Sequence, residues 1–198
     1  MKPVVSRETS VALDRYGDLL RRWNASLNLI GKSTTEDIWR RHIVDSLQVY
    51  DAVERPTDGS WIDLGSGGGL PGIPIHLIAS PTLKMTLVEA DRRKCEFLRT
   101  VRRELGATFD IRTDRIEDLA AFQADFISAR ALATLDRLLS YAHRLASPST
   151  VLVFPKGQTW EQEHEAAARN WSYDLEAHPS QTDTTARILV IRKLRRAN

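Results

Sequence analysis

Cys95 is the only cysteine in 198 residues, which excludes an intrachain disulfide and a CxxC motif and gives no sign of an oxidising compartment. The five histidines stand far apart, so no metal-ligand spacing is present and no metal is expected. Residues 1–7 have no apolar leader segment, and the apolar stretch at 70–79 is short and carries Pro71 and Pro74. Neither export nor a membrane span is indicated, and a cytoplasmic location is the expectation. An excess of one charge is missing too: 28 Lys and Arg against 26 Asp and Glu leave a net +2. That balance permits nucleic-acid binding without announcing it. No internal repeat or low-complexity segment occurs, and a 42% hydrophobic composition suits one ordinary globular domain with a sizeable core.

Glycine, in contrast, is concentrated in one place. Trp61-Ile-Asp-Leu-Gly-Ser-Gly-Gly-Gly-Leu-Pro-Gly-Ile-Pro74 begins as a short apolar strand ending at Leu64 and then places glycine at 65, 67, 68, 69 and 72. The spacing predicts a strand, a bare turn and a helix starting near residue 71, whose first turn tolerates Pro71 and Pro74. Two patterns overlap here. Gly67-x-Gly69-x-x-Gly72 fits a dinucleotide fingerprint, whereas Asp63-x-Gly65-x-Gly67-x-Gly69 sets an acid two residues before the first glycine. With the strand ending at Leu64 the first turn glycine is Gly65, which favours the second pattern. A tight glycine loop with no ligand is the bland alternative.

Before this stretch, Ala12, Tyr16, Leu19, Trp23 and Leu27 form a helical stripe over 6–27 with Ser6 as N-cap. Ser33-x-x-Glu36 reads as a capping box opening a second helix to about Val53, with Trp39, Ile43, Leu47 and Tyr50 on one stripe. On its neighbouring face His42 and Asp45 read as a polar pair serving packing or orientation rather than chemistry. Residues 55–60 are a linker, which divides the chain into a helical cap (1–55) and a second unit (56–198). In that unit strands at about 84–89, 107–112, 124–128 and 150–154 alternate with helices at about 92–105, 115–121, 133–146 and 159–170. The alternation predicts parallel βαβ units in an α/β fold. At the end, 171–176 and 186–192 read as an antiparallel strand pair, since no helix fits between them.

In such a sheet ligands lie beyond the carboxyl ends of the strands. Glu89 ends the second strand, twenty residues after Gly69, where an acid accepts from ribose hydroxyls. After the third strand Asp114, Arg115, Ile116 and Glu117 offer an apolar flank and a polar edge for a base, or simply a helix-opening acid. Arg130 follows the fourth strand and Lys156 the fifth, two cations on one crevice, suited to carboxylate or phosphate. Cys95 reads as a buried thiol rather than a nucleophile.

Taken together, Asn28-Leu29, Arg41-His42-x-x-Asp45-Ser46-Leu47, Gly65-Ser-Gly-Gly-Gly-Leu70-Pro-Gly, Ser128-Ala-Arg130-Ala and Pro155-Lys156-Gly157 resemble the RsmG (GidB) family of small-subunit ribosomal RNA guanine-N7 methyltransferases. The resemblance runs along most of the chain. It implies a Rossmann-like class I methyltransferase sheet, mostly parallel with a C-terminal antiparallel hairpin, an N-terminal helical cap, and S-adenosylmethionine as cofactor. Cofactor contacts would fall at Gly65, Leu70, Ile116, Glu117 and Arg130, with Glu89 on the ribose; Asp63 and Gly67 join them from the glycine pattern. Arg130 and Lys156 are the candidate catalytic residues. The family has a serine and paired lysines after the second strand where this chain has Ala90-Asp91-Arg92-Arg93-Lys94, a departure that keeps the charge.

The residues point to the same chemistry independently. The Asn/Asp-Pro-Pro-aromatic motif of exocyclic-amine transfer is missing, as is a cysteine placed for cytosine C5. Guanine N7 already has a lone pair and loses no proton, so alignment suffices. Arg92, Arg99 and Arg103 on one helical face and Arg192, Lys193, Arg195 and Arg196 at the end are the candidate RNA-binding cations. The implied partner is 16S ribosomal RNA within the small subunit, met by a monomer. An NAD-dependent oxidoreductase using Gly67-x-Gly69-x-x-Gly72, and a non-enzymatic RNA-binding assembly factor, stay open as alternatives.

Overall fold

The computed structural model describes residues 5–120 and 123–197. Helix α1 spans Arg7–Leu27 and is entered as the sequence predicts: Thr9 N–H donates to Ser6 Oγ at 3.1 Å, satisfying one of the amides a helix start leaves free. It ends at Asn28, in the left-handed region at φ 48°. The next helical segment departs from expectation. Lys32–Asp37 is a 3-10 turn whose start has no side-chain cap, so the Ser33 capping box does not form. Trp39–Val44 then winds as a π-helix, and only Asp45–Asp51 is α-helical (α2). The wider π winding breaks the single 3.6-residue stripe: His42 is buried along with Ile38, Ile43, Leu47, Val49 and Tyr50, while Trp39 is only partly covered.

Strand β1 is Gly59–Leu64, with Trp61 to Leu64 buried without interruption, as a central strand flanked on both sides requires. It is followed by α3 (Gly72–Ile78), β2 (Leu83–Val88), α4 (Arg92–Leu105) and β3 (Asp110–Arg112). The expected helix at 115–121 is only a 3-10 turn, Ile116–Asp118; position 121 lies outside the described residues. Then come β4 (Ala124–Ala129), α5 (Leu135–His143), β5 (Ala146–Lys156), α6 (Trp160–Ala167), β6 (Trp171–Pro179) and β7 (Arg187–Arg196). The last three strands run several residues longer than the sequence patterns indicate.

One seven-stranded sheet results, in the order β3-β2-β1-β4-β5-β7-β6. The first five pair in parallel, and β7 pairs antiparallel with both β5 and β6. Strand order reverses between β1 and β4, which makes the carboxyl end of that pair the switch point of a Rossmann-like sheet.

Side-chain alternation along β1 feeds two cores. Trp61 belongs to the one built with α1, α2, α3 and α4, whereas Ile62 and Leu64 belong to the one built with α5 and α6. Leu13, Tyr16 and Leu20 of α1 are fully buried in the first core, alongside Ile73, Leu87 and Phe97. At about 1.5–3 kcal/mol for each such side chain, the N-terminal helices are held by the same core as the sheet. No helix among the described residues is long and apolar enough to cross a membrane.

Candidate active site at the sheet switch point

The glycine turn sits at the end of β1, and α1 holds it from above: the Tyr16 hydroxyl donates to Gly68 O at 2.6 Å, inside the core. Two glycines show how differently the same residue type is used. Gly69 (φ +82°) is required by packing, because a β-carbon there would stand 2.2 Å from Ile73 Cδ1 and 2.7 Å from its Cγ1. Gly67 (φ +57°) is different. A β-carbon there would meet nothing nearer than Gly65 O at 3.8 Å, so it would project into open space beside the turn. Its amide is turned the other way, donating to Glu89 Oε2 at 2.9 Å. Glu89 Oε1 accepts from Asp91 N–H at 2.8 Å, so this nearly buried carboxylate both braces the turn and starts α4. Its neighbour Cys95 is fully buried, donates to Glu89 O at 3.1 Å, and has its thiol pKa raised by burial, as befits an inert thiol.

Asp63 does not reach the open side of the turn. Its carboxylate is enclosed beneath it, accepting from Ser128 Oγ at 2.7 Å and facing Gly72 N at 3.4 Å. Ser128 accepts in turn from Trp61 Nε1 at 2.9 Å. Burial pushes the Asp63 carboxyl up to about 6, against the opposing hydrogen bonds from Ser128, Ser66 and Gly72. In this position Asp63 ties β1, β4 and the start of α3 together under the turn. Leu70 is likewise buried, at the Leu70–Pro71 cis peptide. Further along the edge, Ile116 is half-buried against the second core, and Glu117 accepts from Tyr141 Oη at 3.1 Å and pairs with Arg137 at 3.2 Å. A hydrogen bond from its own backbone N–H, followed by the one from Tyr141, holds the Glu117 carboxyl below the usual range.

On the other side of the switch point is Arg130. The register Leu64↔Ala129 sets it beside Gly65. Its Nη1 and Nη2 both lie 3.1 Å from His42 Nδ1, and Nη1 lies 3.5 Å from Asp45 Oδ2. His42 Nε2 is 2.7 Å from Thr34 Oγ1, and Thr182 donates to Asp45 Oδ1 at 2.8 Å. Burial, followed by the charges of Arg130 and Arg41, pushes His42 down to about 3, so its ring is neutral at ordinary pH. From Arg130 an open groove of about 680 Å³ runs between Asn28–Gly31, the π-helix, the end of β5 and the β6–β7 loop. Lys156 lines it, but its ammonium is already bonded to Glu163 at 2.6 Å and to Ala133 O at 3.0 Å, and its side chain is only 11% exposed. Gly67, Glu89, Ile116 and Glu117 do not line this groove; they occupy the opposite half of the sheet edge, and Arg130 stands at the junction.

A sequence model described as rRNA small subunit methyltransferase G matches residues 10–189. The ribosomal RNA small subunit methyltransferase G of Paracoccus denitrificans is 46% identical over 194 residues, covering 98% of this chain and 99% of that protein. The enzyme of the same name from Ruegeria sp. (strain TM1040) is 42% identical over 195 residues, covering 97% and 94%. The chain belongs to this family. Among solved structures, ribosomal protein L11 methylase from Lactobacillus delbrueckii subsp. bulgaricus superposes with a TM-score of 0.62 at 13% identity, over 83% of this chain and 80% of that one. A mutant MtNAS in complex with S-adenosylmethionine gives 0.64 at 16% identity, over 93% and 77%. These two share the fold, that of class I methyltransferases.

The structure sets the glycine turn, Glu89 and Arg130 along one sheet edge, and His42 and Asp45, whose i,i+3 spacing reads as packing or orientation, both contact Arg130. Thr34 and Thr182 carried no signal: Thr34 reaches His42 only because the intervening segment winds as 3-10 and π turns, and Thr182 reaches Asp45 from 137 residues away. The expected RNA-binding cations are largely engaged within the chain. Arg99 pairs with Glu96 and donates to Thr113, Arg192 pairs with Glu176, Lys193 lies 2.8 Å from Asp174, and Arg196 stacks 4.0 Å over the Trp171 ring. Among the described residues no group of three or more His, Cys, Asp or Glu is arranged to hold a metal.

Proposed function

We propose that the protein transfers a methyl group from S-adenosylmethionine to N7 of a guanine in 16S ribosomal RNA. The observation that carries the reading is the switch point itself: a turn whose Gly67 opens onto empty space on one side of Arg130, and an open groove of mixed polar and apolar lining on the other. The residues fit the cofactor. A β-carbon at Gly67 would fill the space beside the turn, Glu89 keeps acceptor lone pairs beyond its two amide bonds for ribose hydroxyls, and Ile116 and Glu117 offer an apolar face and a polar edge for the adenine. Gly65 and Leu70 shape the backbone between them. When bound, S-adenosylmethionine supplies a methyl group on a positively charged sulfur.

The groove beyond Arg130 takes the RNA base, and the enzyme's task is alignment, because N7 attacks through an existing lone pair and releases no proton. No side chain needs to act as general base, in keeping with a His42 whose Nδ1 is already engaged by Arg130. Arg130, as a guanidinium at the junction, holds an anionic oxygen of cofactor or RNA away from the purine ring, which becomes cationic as it is methylated. Lys156 orders the groove wall through Glu163. The A-form major groove is too narrow for side chains, so the guanine is read unpaired. The protein acts as a monomer on the RNA within the small subunit, in the cytoplasm and without a metal.

The test supplies labelled S-adenosylmethionine with small subunits lacking the modification and, separately, with bare 16S RNA, and maps the label. Transfer to N7 of one guanine is expected. Label on another base atom, or in neither substrate, defeats the proposal, and binding of NADH in place of S-adenosylmethionine would return the dinucleotide reading.

A further inference from the structure

Arg130 is gripped mainly by a neutral ring rather than by a carboxylate. Both of its terminal nitrogens stand 3.1 Å from one atom, His42 Nδ1, while Asp45 Oδ2 stays at 3.5 Å. A guanidinium offers donors only, so Nδ1 presents its lone pair and carries no hydrogen. The ring proton is therefore on Nε2, 2.7 Å from Thr34 Oγ1. Thr34 gives its own hydrogen to Gly31 O at 2.8 Å, which leaves its oxygen free to accept from the ring. Each link has one permitted direction: Arg130 to His42, His42 to Thr34, Thr34 to Gly31.

We propose that His42 is a positioning residue that, as the Nε2–H tautomer fixed by Thr34, orients Arg130 at the junction of cofactor and RNA sites while adding no negative charge to the one Asp45 already supplies. With the Asp45 carboxylate already 3.5 Å from Nη1, a second carboxylate at the position of Nδ1 would overcompensate the guanidinium, whereas a neutral imidazole fixes its direction and adds no competing negative charge against an incoming oxyanion. The groups facing the ring fit that role. Arg130 approaches from the end of β4, Arg41 from the same helical segment and Asp45 from the start of α2, and burial with the two guanidinia keeps the ring unprotonated. The oxyanion is a carboxylate or phosphate oxygen, from the amino-acid end of the cofactor or from the RNA backbone. What Arg130 holds rests on the methyltransferase reading; how Arg130 is held does not.

Nitrogen-15 NMR of the imidazoles in the full chain tests the tautomer, with the His42 signals identified by their loss in His42→Asn. Unprotonated Nδ1 and protonated Nε2 are expected, unchanged from pH 5 to 8. An Nδ1–H tautomer, or titration within that range, overturns the proposal. Affinities for S-adenosylmethionine and for 16S RNA are then measured for His42→Ala, for His42→Asn, which retains an oxygen near the place of Nδ1, and for Thr34→Val. His42→Ala should weaken one of the two affinities by about tenfold or more, with His42→Asn recovering most of it and Thr34→Val lying between. Loss confined to S-adenosylmethionine identifies the cofactor carboxylate, and loss confined to RNA identifies a phosphate. In an Arg130→Ala background His42→Ala should add less than about twofold, because a residue acting through Arg130 has nothing left to position. An equal effect in both backgrounds, or no effect on either affinity, overturns the proposal. None of these arms requires turnover, so they are scored separately from the labelling assay.

Discussion

Replacing Gly67 with alanine separates ligand space from packing space within a single turn. The residue has φ +57°, where a β-carbon costs about 1–2 kcal/mol, and the nearest atom to that carbon would be Gly65 O at 3.8 Å. Nothing is displaced in the protein, and the amide can remain on Glu89. In a chain of 198 residues this strain corresponds to a fall in Tm of about 2–8 °C. The new methyl occupies the space where the cofactor must approach the backbone, so S-adenosylmethionine affinity should drop about 10–100-fold, ~1.4–2.7 kcal/mol. Gly69→Ala is the control. Its β-carbon would lie 2.2 Å from Ile73 Cδ1 and 3.2 Å from Leu98 Cδ2, both fully buried side chains, so stability should fall first and further. Calorimetry with S-adenosylmethionine and thermal unfolding on both variants provide the readings. Wild-type affinity in a folded Gly67→Ala protein would refute the placement of the ligand. A Gly67→Ala protein as unstable as Gly69→Ala would refute the claim that the space is open.

Three further outcomes follow from the same contacts. Glu89→Ala should weaken S-adenosylmethionine binding and also destabilise the chain by about 1–3 kcal/mol, since the amides of Gly67 and Asp91 lose their acceptor; equal discrimination between the cofactor and its deoxyribose analogue in wild type and variant would remove the ribose role. Asp63, raised to about 6, binds its proton more tightly folded than unfolded, so its contribution favours folding below about pH 4, is lost as pH rises to about 6, and is level above. Asp63→Asn should flatten that part of the stability–pH curve, removing a dependence of roughly 3 kcal/mol, and an unchanged slope in denaturant titrations at pH 4, 5 and 6 would show that the carboxyl is not perturbed. Lys156→Ala should cost stability, because it strands Glu163 in a largely buried pair, yet change the salt dependence of RNA binding by less than one counterion, whereas Lys32→Ala at the groove should lower that slope by about one; the reverse ranking would restore Lys156 as a phosphate contact.

Much of the sheet was legible because its signals are local. Apolar runs bounded by turn residues marked β1, β2 and β4, and the absence of a helix between 176 and 186 marked the closing antiparallel pair. The helix expected at 115–121 failed because a helix-like composition over seven residues does not overcome the cost of nucleation without a packed face. The second N-terminal helix was misread for another reason. A capping box and one periodic stripe describe a regular helix, whereas here Thr34 bonds to Gly31 and His42, and the chain winds into a π-helix that buries the imidazole.

By itself, the sequence determined what backbone chemistry dictates within a few residues: a strand ending at Leu64, a turn only glycine can make, an acid ending the next strand, and cations following the fourth and fifth. It also carried the family, because that likeness is a matter of residues in order. Only the tertiary structure decided how those residues divide the work. Gly67 faces open space while Gly69 faces Ile73; the Asp63 carboxylate is enclosed beneath the turn; Lys156 is already paired; and His42, eighty-eight residues before Arg130, becomes its principal partner. Such assignments depend on which atoms approach within a few ångströms across the whole fold, and hydrogen bonding, ion pairing and desolvation all act at that range, which spacing along the chain does not encode.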